Sequence, residues 1–138
     1  MSILALTIVV AAAGAVDTSA AQKEIATACG VSPAVVVSWE EFGDNEDAKA
    51  GFSAAGLSFL SGAFGELCKD AGMKAEVGKQ ISKIVLSQAY GAADPVIYLA
   101  QKTLHVEYLW VKGEPGPDKM LVRDEIAARL KGEEAEAP

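Results

Sequence analysis

His105 and Glu107 stand two residues apart in Thr103–Val111, a segment whose hydrophobic residues alternate. On a β-strand that spacing puts both side chains on one face. A carboxylate next to an imidazole holds a proton between two partners, the raw material of acid–base chemistry. The same pair also serves as a cross-strand ion pair or a solvated polar face. The sequence favours that plainer reading, because it supplies no nucleophile to complete an active site. No catalytic residue is assigned.

His105, Cys29 and Cys68 carry soft, zinc-like donors, but no two of them are close in sequence as metal ligands usually are. Glu40, Glu41, Asp44, Glu46 and Asp47 crowd five carboxylates into one short stretch. Read as a calcium loop from Glu40, the glycine at Gly43 comes too early and Gly51 stands where a bidentate glutamate belongs. Helix capping and a solvated acidic loop explain most of the stretch. Its remaining meaning is a weak binding surface for a basic partner. No glycine-rich phosphate loop of either familiar pattern occurs. Neither a metal nor a cofactor is expected. Ser58/Gly62 and Ser61/Gly65 set small residues at helical spacing, a face for close core packing or for a second subunit.

These groups need elements to hold them. Asp17-Thr18-Ser19 caps a short helix that Gly30 closes. Ala34–Trp39 is rich in β-branched residues and predicts a strand. Asp44 or Asn45 caps a second helix running to about Lys69, with Glu46 and Asp47 where the helix dipole favours anions. Gly51, Gly56, Gly62 and Gly65 inside it imply close backbone approach, since each costs about 1 kcal/mol relative to alanine. Asp70-Ala71-Gly72 ends that helix. A helical turn then leads into a strand from about Ile81. Val96–Ala100 and Thr103–Val111 predict two more strands around a tight turn at Gln101-Lys102. Leu104, Val106, Tyr108 and Trp110 form the core face of the last one. Asp118 caps a final helix to Lys131, and residues 133–138 form an acidic tail.

Residues 1–16 are apolar and lack any basic residue. Leu4, Leu6, Ile8, Val9 and Val10 predict a buried strand closed at Gly14. The second reading is an export signal or anchor, with Ala13-Gly14-Ala15 as its cleavage site. The uncharged run Ala50–Gly65 and residues 1–16 both fall short of the ~20 residues that span a bilayer.

The expected architecture is a single α+β domain over residues 1–132. Its order is β-α-β-α-β-β-β-α, with a mostly antiparallel sheet of about five strands and about three helices on one face. The 138-residue chain is 51% hydrophobic and 22% charged, which excludes disorder. A net charge of −7 without a basic cluster argues against nucleic acid as a partner. Two cysteines outside any framework read as buried free thiols in a cytoplasmic protein, with a disulfide only if the chain is exported.

Three function classes follow. The favoured one is a non-enzymatic interaction module that docks on another, basic protein or on itself as a homo-oligomer, as an inhibitor or an assembly subunit does. The second is an exported or membrane-anchored protein that uses residues 1–16. The third is a small-molecule binder or small enzyme centred on His105 and Glu107.

Overall fold

The computed structural model describes residues 16–89 and 94–134. The strand expected in residues 1–14 lies outside them. Asp17 accepts a hydrogen bond from the Ala20 amide and starts α1 (Thr18–Cys29), which ends at Gly30 with φ +78°. β1 (Ala34–Val37) follows. The strand stops two residues before Trp39, which opens the single turn α2 (Trp39–Phe42).

The second long helix is two helices. Asn45 caps α3 (Glu46–Ala55) by accepting from the Ala48 amide. Gly56 stops it at φ +70°, and α4 (Ser58–Leu67) begins after Leu57. The apolar periodicity runs on across Gly56, so the face is continuous although the helix is not. Asp70 does not end a helix. It caps α5 (Ala71–Gln80), accepting from the Met73 amide. β2 (Lys83–Gln88), β3 (Val96–Ala100) and β4 (Thr103–Tyr108) come next. Asp118 then caps α6 (Lys119–Leu130) with two amide hydrogen bonds.

The protein is α+β, with six helices and a four-stranded mixed sheet among the described residues. The expected order, helix number and mostly antiparallel sheet are corrected here, while the four strands are four of the five expected, the fifth falling outside the described residues. Strand order is β1-β2-β4-β3. β1 pairs parallel with β2 and β2 parallel with β4, and among the described residues only β3 and β4 are antiparallel. Alternation along a strand says which side chains share a face but not which neighbour the strand takes. Connections decide that. The two-residue turn at Gln101 and Lys102, both with positive φ, joins β3 and β4 as a hairpin. β3 occupies the edge outside β4, which leaves β4 free to pair with β2.

One face of the sheet is the core face. Val35, Ile84, Leu86, Leu104, Val106 and Ile97 are buried there and join Ile25 of α1, Leu60 and Phe64 of α4, and Ile126 of α6. Cys29 and Cys68 are joined by a disulfide, with Cα atoms 5.3 Å apart. The expectation of free thiols is thereby overturned. The bond ties the end of α1 to the end of α4, two helices that pack on each other. Proximity in the fold, invisible in the spacing, brings the two sulfurs together.

Of the four glycines singled out by sequence, Gly51 makes a close approach to backbone. A Cβ there would lie 2.6–2.9 Å from the main chain of Val111. No helix among the described residues is long and apolar enough to cross a membrane.

Candidate functional site

The opposite face of the sheet carries His105 and Glu107 together, as their spacing requires. The registers Val85↔His105 and Tyr98↔His105 put Val85 and Tyr98 on either side of His105. Val85, Tyr98, Thr103, His105 and Glu107 are half-buried, and Val36 of β1 is 39% exposed. Ser87 is the buried exception on this face.

Tyr98 reorganises the predicted pair. Its ring lies flat on the His105 imidazole, with centroids 4.5 Å apart and planes within 9°. Its hydroxyl donates to Glu107 Oε2 at 3.1 Å. The tyrosine thus takes the carboxylate that the sequence reading gave to the histidine. Burial raises the Tyr98 pKa, and the hydrogen bond and charge of Glu107 raise it further, with a smaller push from Glu41. The phenol therefore stays neutral and donating through the ordinary pH range. Cross-strand neighbours could have suggested Tyr98 only if the register of β3 on β4 had been known.

That effect of Glu41 links two sets of residues that the sequence kept apart. The five acidic residues divide by role. Glu46 pairs with Lys49 at 3.5 Å, and Asp47 Oδ2 accepts from the Lys112 amide at 3.3 Å, fixing the loop after Trp110. Glu40, Glu41 and Asp44 are exposed and make no ion pair among the described residues.

Open sheets with parallel strands commonly take ligands beyond the carboxyl ends of those strands. An aromatic cluster occupies the neighbourhood here. Trp39, Phe42 and Phe52 meet one another in tilted and edge-to-face contacts at 5.2–5.6 Å, and Phe52 meets Trp110 edge-on at 4.7 Å. Trp110 donates its indole N–H to the Ser87 carbonyl at 3.1 Å, so it is a core anchor as expected. Gln88 Nε2 is buried beside it with no partner among the described residues.

A cleft of about 310 Å³ lies between the start of α1 and the α3–α4 junction. Asp17, Glu24, Ser58 and Ser61 are among its lining residues. Asp17 is already engaged as a helix cap. Among the described residues no three of His, Cys, Asp and Glu converge on a metal position. Cys29 and Cys68, being bonded, offer no thiolate. Comparison of the chain with family models, curated proteins and solved structures found no match.

Proposed function

We propose that the protein is a non-enzymatic docking module whose contact surface is the half-exposed face of the sheet. The observation that carries this reading is the Tyr98–His105 stack. A flat aromatic pair, its tyrosine hydroxyl bonded to Glu107, lies beside Val85 on the face opposite the core. Rigid aromatics with a polar tip make good interface anchors, because they bring large contact area at little cost in conformational entropy. Glu107 and Glu41 put negative charge at one end of this surface, with Lys83 at the other, and the acidic end favours a partner that is basic there.

The disulfide favours a second element of the reading, function outside the reducing cytosol. Disulfides persist in oxidising compartments and are rare where thiol reductants act. It adds weight to export over the cytoplasmic expectation, with residues 1–16 as the signal or anchor.

The test is capture from the source cells with the intact protein and with Tyr98→Ala and Glu107→Lys variants. A stoichiometric basic partner that is lost from both variants, and retained by the helix-side variant Lys69→Glu, supports the reading. A partner that binds all three equally refutes it.

A further inference from the structure

β1 is an edge strand with an unpaired outer side among the described residues. The Ala34 amide donates to the Ser82 carbonyl at 3.1 Å and the Ser38 amide to the Leu86 carbonyl at 2.8 Å. Along a strand the main-chain groups alternate between its two sides. Even-numbered residues of β1 therefore bond to β2, and the N–H and C=O groups of Val35 and Val37 point away from the sheet. The strand carries no charge, and its proline, Pro33, lies just before it. An uncharged edge of this kind is a template for another strand.

The two ends of β1 differ in charge. Glu40 and Glu41 follow its carboxyl end. At its amino end Lys83 stands in register with Ala34, and the Lys74 side chain lies over Gly30, within 3.6 Å of where a Cβ would be. All four are exposed, and none makes an ion pair among the described residues. A parallel copy would set like charges side by side. An antiparallel copy sets each acidic end against a basic one.

We infer that the β1 edge pairs with the β1 edge of a second copy of this chain, antiparallel and about a two-fold axis at Val36. In that register Val35 lies opposite the second copy's Val37, and Val37 opposite its Val35, exchanging about four main-chain hydrogen bonds. The two Val36 side chains meet at the axis in a non-hydrogen-bonded pair, with Cα atoms about 4.5 Å apart. Glu40 and Glu41, in the turn after β1, then lie toward the end of the second copy's strand that Lys74 and Lys83 flank. The pairing joins the two sheets edge to edge and keeps both half-exposed faces on one side. It goes beyond the docking reading: the two share Glu41 and Val36, but the pairing rests on the outward main-chain groups of Val35 and Val37, which the docking reading does not use.

Sedimentation velocity of the full chain, from micromolar to near-millimolar protein and at low and high salt, tests the pairing. The expected result is a reversible dimer that weakens as salt rises. Glu40→Lys/Glu41→Lys and Lys74→Glu/Lys83→Glu each weaken it by about tenfold or more, and an equimolar mixture of the two restores it as a heterodimer. Val36→Glu, which changes only an exposed side chain, abolishes the dimer by setting two carboxylates at the axis. Circular dichroism checks that each variant is folded. A monomer at every concentration overturns the inference. So does a dimer indifferent to Val36→Glu, or a mixture of the charge variants that stays monomeric.

Discussion

Breaking the Cys29–Cys68 bond should remove a large share of this protein's stability. The bond closes a loop across a sequence separation of 39 residues. Loop-closure entropy lost from the unfolded chain stabilises the native state by about 4 kcal/mol for a loop of that length. A domain of this size is stable by only about 5–15 kcal/mol. Both cysteines are buried, at 2% and 7% exposure, so reduction leaves two thiols packed as small apolar groups rather than a hole. The loss on reduction is therefore mostly the entropy term, acting through the unfolded state. Urea unfolding at equilibrium, with and without excess dithiothreitol, reads it directly. With a slope of about 2 kcal/mol per molar, the midpoint should fall by about 2 M. Cys29→Ala/Cys68→Ala should fall somewhat further, because each substitution also removes a buried sulfur. Equal midpoints with and without reductant would refute the reasoning. Thiol titration of the untreated, unfolded protein that found both cysteines free would refute it at the source.

Gly51→Ala and Gly65→Ala should move stability in opposite directions. At Gly51 the new Cβ meets the Val111 main chain, which cannot swing aside, and a loss of about 1–3 kcal/mol is expected in urea unfolding. At Gly65 nothing lies within 4 Å, so alanine gains up to about 1 kcal/mol of helix propensity. Tyr98 should ionise above the ordinary phenol range when absorbance near 295 nm is followed against pH, and Tyr98→Phe should remove that component. Because its folded pKa is raised, its stabilising contribution is complete below the unfolded value of about 10 and is lost as pH climbs through the folded value. Tyr98→Phe should flatten that alkaline loss, and an unchanged slope would contradict the assignment. Arg129 is 8% exposed and bonds Glu125 at 3.1 Å, while its Nε and Nη1 have no partner among the described residues. Arg129→Met should therefore be neutral or stabilising by about 1 kcal/mol, because a half-satisfied buried charge gives way to packing and Glu125 remains solvated. A thermal midpoint several degrees lower would count against it.

Local chemistry was legible from the chain alone. Asp17, Asp118 and the Gln101-Lys102 turn act within a few residues of themselves, so the sequence determined them. It also determined the core face of Leu104 and Val106 and the shared face of His105 and Glu107, because strand alternation has a fixed period of two, whereas Trp110 lies beyond the end of β4. What crossed the chain was decided only by the tertiary structure. Strand neighbours depend on where connections deliver the chain, so β2 lies beside β4 and the sheet is mixed. The Cys29–Cys68 bond depends on α1 packing against α4. The Tyr98 ring on His105 depends on one register between two strands, and the close approach at Gly51 on a loop some sixty residues away in sequence. A residue's own propensities carry no record of such partners, since the distances that create them exist only once the core has formed.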